Sequence, residues 1–217
     1  MTPTQSESGR FKSPSAALAV LVAGLLLAGC VSLVPKSAPV QLYRLSQPAP
    51  PPAAPAPPGL SLARTAVSFP GDAASDRLLA FNGPEAAFIA GGRWIEPASV
   101  MFDQSVTDAF DQPGAPHLIG AGEGASSSAT LRLAVRRFDA NYDHGMGAAP
   151  TVEVTVDAAL IRSGDRVVVA EKLFEIRQPA SENRIGAIVE AYNVAVAEAL
   201  GAVRDWSAVN APPSTRR

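Results

Sequence analysis

The chain has 217 residues, 47% of them hydrophobic and 18% charged, with a formal net charge of −2, one cysteine and two histidines. This mildly acidic balance lacks the basic face that nucleic acid requires, and no lysine-rich stretch is present to grip anionic headgroups. A single cysteine permits no internal disulfide, so packing alone must hold the fold.

Arg10 and Lys12 precede an apolar run from Ala16 to Gly29, which closes on Leu27-Ala28-Gly29-Cys30. A basic head, an apolar segment and a small-residue cleavage site are the three parts of a secretory signal. Cys30 stands where a lipoprotein signal needs its acceptor: the thiol takes a diacylglycerol, the preceding bond is cut, and the new amine is acylated. The pattern resembles the bacterial lipobox. The alternatives are an ordinary signal peptide and a retained spanning helix; the latter needs roughly 20 apolar residues, and the run here is shorter. Residues 1–29 therefore read as a lipoprotein signal peptide, with an acylated mature chain beginning at Cys30. Two or more acyl chains hold a protein stably on a bilayer, at ~0.8 kcal/mol per buried methylene. In lipoproteins with such a lipobox, Asp directly after the cysteine favours the inner membrane. Val31 and Ser32 stand here instead, so the expected location is the outer membrane, lipid-anchored on its periplasmic face. Loss of Glu7, Arg10 and Lys12 with the leader takes the net charge from −2 to −3.

Residues 30–40 form a proline-broken tether whose ten residues after the cysteine reach at most ~35 Å. One domain is expected over residues 41–206. Gln41 to Ser46 alternates with period 2 and reads as a short strand. Seven of the eleven residues from Pro48 to Pro58 are proline, which favours an extended, unpacked insert; it reads as a stiff linker or exposed loop, or else as a proline-recognition ligand. Leu60 to Phe69 is a second strand region. Residues 77–81 and 86–90 flank Asn82-Gly83, which predicts a hairpin with a type I′ turn, and Pro84 confines that end to an edge. Gly91 to Pro97 breaks the strand pattern. From Pro97 a helix is expected to about Phe110, with Phe102, Val106, Ala109 and Phe110 on one stripe.

Three strands follow a short edge strand at His117–Ile119 and a Gly/Ser loop. Leu131, Leu133 and Val135 alternate with arginines and alanine, Val152 to Leu160 alternates with Glu153, Thr155 and Asp157, and Arg166–Ile176 completes an antiparallel meander with one buried face. The last element is an amphipathic helix from about Ser181 to Trp206. It carries a stripe of Ile185, Ile188, Val189, Tyr192, Val196, Leu200 and Val203 beside a stripe of Ala187, Ala191, Ala195 and Ala202. The alanine face either packs within the domain or meets a partner. Residues 207–217 read as a disordered tail.

No catalytic or metal constellation emerges. Asp139-x-Asn141-x-Asp143 starts like a calcium loop, but His144 replaces the required glycine and Pro150 the bidentate glutamate. His117 and His144 lack further soft ligands for zinc. Gly124-Ala125-Ser126 is no nucleophile elbow, and Gly120–Gly124 lacks the helix and lysine of a phosphate loop.

Taken in order, the lipobox, Tyr43-x-Leu45, Asp76-Arg77-Leu78-Leu79 before the hairpin, Arg93-Trp94-x-Glu96-Pro97 opening a helix, and the long final helix resemble the ABC-type transport auxiliary lipoproteins, the PqiC-like family. The resemblance spans nearly all of the mature chain. The proline-rich insert and Ala87-Phe88-Ile89, where family members often carry tyrosines, depart from it. The resemblance implies an α+β fold, an antiparallel sheet packed by two helices, and a non-enzymatic role without cofactor. Its members act beside a membrane ATPase, a permease and an MCE-domain protein that moves lipids across the periplasm. The lipoprotein would dock the MCE protein at the outer membrane as a monomer or a homo-oligomeric ring. Arg93 and Trp94 are the candidate partner contacts, with the alternative that Trp94 packs at the mouth of the first helix. Two other functions share the anchor: a lipid-binding carrier with an enclosed pocket, and a pilotin-like envelope-assembly factor.

Overall fold

The computed structural model describes residues 39–46, 56–57, 59–120 and 126–213. The lipobox with Cys30, most of the proline-rich insert, residues 121–125 of the Gly/Ser loop and the last four residues lie outside the described residues.

The sheet is built around β7 (Ala129–Asn141), β8 (Thr151–Arg162) and β9 (Val168–Pro179), paired antiparallel in sequence order. Leu131, Leu133 and Val135 of β7 and the even-numbered residues from Val152 to Leu160 of β8 share one buried face, as their period-2 pattern requires. A register shift between Val135 and Arg137 inserts an extra residue. Beyond this bulge Phe138 and Ala140 take over the core-facing positions, so the face switches from odd to even numbers. The expected single buried face holds for β7 as far as the bulge, beyond which Asp139 is also covered, and fails for β8, whose Glu153 and Thr155 are covered as well. As the middle strand of three, β8 has both faces shielded by its neighbours' side chains.

Two shorter strands share the other edge of β7. β2 (Ser61–Arg64) pairs parallel with its first end and β3 (Leu79–Asn82) with its last, while Ser68 bridges to Ala134 between them. β6 (His117–Ile119) lies parallel outside β2, and β4 (Glu85–Phe88) antiparallel outside β3. The expected hairpin is present, but its turn differs. Asn82 pairs with Glu85, which leaves Gly83 and Pro84 as the central residues, with Gly83 at φ 58°. Proline is locked at negative φ, so only the first central residue is left-handed, the pattern of a II′ rather than a I′ turn. The third meander strand starts at Val168, two residues later than expected, because Arg166 takes a left-handed φ of 60° in the preceding turn.

A separate pair of strands, β1 (Gln41–Tyr43) and β5 (Gly92–Trp94), runs parallel. The expected first strand is thus three residues long rather than six, and its partner is a stretch read as a strand break. Gly92 permits this pairing: a Cβ there would lie 2.8 Å from Ile185 Cγ2 and 3.2 Å from Tyr43 Cε2. Only a bare backbone fits between the first strand and the start of the last helix.

Both helices pack on the same face of the sheet, giving an α+β architecture. α1 (Ala98–Phe110) follows Pro97 and buries Phe102, Val106, Ala109 and Phe110. Its first amides are satisfied by a preceding loop, Ala98 N–H donating to Ser75 O at 3.0 Å and Ser99 N–H to Ala74 O at 3.4 Å. α2 (Ile185–Asn210) lies across β8 and β9, with α1 against it. Its large stripe from Ile188 to Val203 and the central alanines Ala191 and Ala195 are buried, with Ile185 partly so, and the alanine face thus packs within this domain. By length and composition α2 could cross a membrane, but 61% of its most apolar stretch is buried in this fold. It runs past Trp206 to Asn210 because Ser207 and Ala208 still pack inward, where the sequence suggested a tail. Phe138 centres the core, its ring 4.7 Å from Tyr192, 5.3 Å from Phe69, 6.2 Å from Phe102 and 6.3 Å from Trp94.

Candidate docking site

β5 presents successive residues to opposite faces, so Arg93 and Trp94 diverge. Trp94 is 2% exposed, edge-on to Tyr192 at 5.3 Å. Its backbone N–H donates to Asp76 O at 2.8 Å. Arg93 points out and donates from Nη1 to Asp76 Oδ2 at 2.7 Å, with both side chains half exposed. Asp76 therefore holds the backbone of one residue and the side chain of the other. The two short motifs, Asp76-Arg77-Leu78-Leu79 and Arg93-Trp94, are halves of one contact. Leu78 is buried beside it, and the Arg77 guanidinium lies 3.7 Å from the centre of the Phe88 ring. Of the two residues singled out from sequence, a partner can reach Arg93, while the Trp94 ring belongs to the core.

Leu42 and Arg93 are register partners across β1 and β5 and share a face. Arg44 and Ile95 continue it, and both line a surface groove of about 440 Å³ with Leu45, Glu96, Met101 and Gln104. Glu96 and Gln104 also line the adjacent groove that Val100 borders. The chain leaving this face crosses α2, where Ser46 N–H donates to Asn193 Oδ1 at 3.0 Å.

The opposite face of the meander carries a charged cluster that the sequence reading missed. Asp139 and Glu153 are register partners on β7 and β8, and Arg177 of β9 pairs with Glu153 in turn. Arg137 Nη2 donates to Asp139 Oδ1 at 2.8 Å, and Arg137 also pairs with Glu153. Arg177 Nη2 reaches Glu153 Oε1 at 3.0 Å and Asp143 Oδ2 at 2.7 Å, and Asn141 Nδ2 donates to Glu153. Burial pushes the Asp139 carboxyl above the ordinary value of 3.8, outweighing the hydrogen bond from Arg137. Of the residues that began like a calcium loop, Asp139 and Asn141 are strand residues and Asp143 lies in the turn that follows; Asp139 pairs with Arg137, Asp143 with Arg177 and Asn141 with Glu153, and among the described residues no group of acidic, histidine or cysteine side chains could hold a metal. The available signal was charge alternation on three adjacent strands, legible only once the register is known. A second pair joins the sheet to α1: Arg64 donates to both Asp103 oxygens, at 2.6 and 2.8 Å. That hydrogen bonding, with the guanidinium charge, holds the Asp103 carboxyl below 3.8.

The family model for the ABC-type transport auxiliary lipoprotein component matches residues 43–203. The chain belongs to this family. Every element from the end of β1 to the last turns of α2 falls within the match, including Asp76, Arg93 and Trp94. The crystal structure of XCC0632 from Xanthomonas campestris, assigned to DUF330, is 26% identical with a TM-score of 0.67, over 78% of this chain and 96% of that one. An uncharacterized protein is 17% identical with a TM-score of 0.56, over 78% and 99%, and shares the fold. No curated protein matches the chain. Family membership makes the protein a component of an ABC-type transport system and a lipoprotein of the cell envelope.

Proposed function

We propose that this auxiliary lipoprotein is a non-enzymatic adaptor that docks a periplasmic MCE-domain protein of a lipid transport system at the outer membrane. The observation that carries the reading is the family match over residues 43–203, with Cys30 closing a lipobox just ahead of it. Cys30 is acylated after removal of residues 1–29, residues 30–40 serve as the tether, and the folded domain offers the docking surface, alone or as a homo-oligomeric ring. An adaptor needs an anchor and a stable surface, and the pairs of Arg64 with Asp103 and of Arg137 and Arg177 with Asp139, Glu153 and Asp143 suit such a surface.

The test is a crosslinked pulldown of the full-length lipoprotein from membranes, read by mass spectrometry beside Cys30→Ala. Recovery of an MCE-domain protein and its permease, lost in the variant, supports the adaptor. Recovery of outer-membrane barrel or secretin components alone overturns it in favour of an assembly factor. Copurified phospholipid without a protein partner would point to a lipid carrier.

A further inference from the structure

The face formed by β1, β5 and the residues beyond them exposes apolar side chains that nothing in the domain covers. Leu42 is 62% exposed, Ile95 48%, Val100 51% and Val40 48%. Leu42 of β1 and its register partner Arg93 of β5 share a face, and Val40, Arg44 and Ile95, each two residues along the chain from one of them, extend the row just beyond the strand ends. Soluble surfaces scatter such residues singly; a contiguous set marks a contact. Its charges balance locally, Arg44 and Arg93 against Asp76 and Glu96, so electrostatic attraction to an anionic surface is not what the face offers.

We propose that this face rests on the lipid bilayer, with Val40, Leu42, Ile95 and Val100 inserted shallowly among the headgroups. Arg93, the reachable member of the pair singled out from sequence, then meets lipid rather than a protein partner. The position of the tether decides for the bilayer over a second copy of the chain. Val40 opens the exposed row and is only ten residues after Cys30, at most ~35 Å of chain. The acyl anchor thus keeps this end of the domain within ~35 Å of the membrane. A few half-exposed apolar side chains on a domain of net negative charge bind a bilayer weakly by themselves. A short tether supplies a millimolar-range effective concentration and makes the contact persistent. The surfaces away from the tether, including the charged face of the meander, then point into the periplasm. The inference rests on the acylation of Cys30.

The test uses the full-length lipoprotein reconstituted in phosphatidylethanolamine and phosphatidylglycerol vesicles. Because acylation consumes Cys30, a single new thiol at Leu42→Cys or Ile95→Cys takes an environment-sensitive fluorophore, and Leu173→Cys, an exposed position on β9, serves as the comparison. The expected result is a blue shift at positions 42 and 95, with loss of emission to brominated phospholipid, and neither effect at position 173. All three positions responding alike, or quenching by lipid at none, overturns the proposal. So does a shift at position 42 that follows protein density without lipid quenching, which would mark a contact between copies. The intact mass of the same preparation reports the acyl chains separately. Acylated protein without lipid contact at position 42 sinks this inference and spares the anchor, whereas protein lacking acyl chains sinks both.

Discussion

At the scale of single residues, the divergence of Arg93 and Trp94 gives opposite expectations for two neighbours. Trp94→Ala removes a ring packed against Phe138 and Tyr192 and should destabilise the domain by about 3–5 kcal/mol. Arg93→Ala removes one half-exposed ion pair and should shift stability by less than about 1 kcal/mol. Chemical denaturation of both variants checks the contrast, and equal losses would contradict the burial of Trp94. Two carboxylates differ in the same way in their response to pH. Asp103 titrates below its ordinary value of 3.8 in the folded state, so its stabilisation is complete above 3.8 and is lost as the pH falls through the folded value. Asp139 is raised by burial, so the folded state binds that proton more tightly, and stability falls as the pH rises from 3.8 through the raised value. Subtracting the melting curve of Asp103→Asn from that of the unsubstituted protein should therefore leave a term that vanishes only in acid. The same subtraction for Asp139→Asn should leave a term of opposite slope that begins at the ordinary carboxylate range. Parallel difference curves would contradict the two environments.

At the scale of elements, the close approach of β1, β5 and α2 depends on Gly92. Gly92→Ala places a methyl 2.8 Å from Ile185 Cγ2, and the overlap should cost about 1–3 kcal/mol. Hydrogen exchange would show the loss centred on residues 41–43 and the first turn of α2, and unchanged protection there would refute it. The same place explains what the sequence concealed. α2 was legible because its 26 residues repeat one buried period, and the meander because Leu131–Val135 and Val152–Leu160 are long enough to display period 2. β1 and β5 have three residues each, one of them Gly92, and three residues cannot display a period. The bulge after Val135 likewise ends a visible alternation, although the strand itself continues to Asn141. Parallel pairs such as Ala80 with Ala140 join residues far apart in sequence and leave no local trace. In the candidate site, the short Arg93-Trp94 motif could be picked out, but which of the two faces solvent followed only from the partner strand.

For the molecule as a whole, the question is whether the β1–β5 end and the meander unfold together. The protein has two tryptophans, and they report from different ends of α2. Trp94 packs on Tyr192, whereas Trp206 lies 5.9 Å from Phe174 on β9, fourteen residues further along the helix and roughly 21 Å away at 1.5 Å per residue. Between them Phe138 touches the rings of Phe69, Phe102, Trp94 and Tyr192, so β7, β5 and both helices draw on one core. A shared core of this kind unfolds as a single cooperative unit. Trp94→Phe leaves Trp206 as the sole reporter, and Trp206→Phe leaves Trp94. In each variant the fluorescence midpoint in urea should coincide with the midpoint of the helical circular dichroism signal, even though Trp94→Phe lowers both. If the Trp94 signal in Trp206→Phe is instead lost before the helical one, the β1–β5 pair opens independently of the meander. The β1–β5 end would then be a separately melting clasp rather than part of one rigid domain.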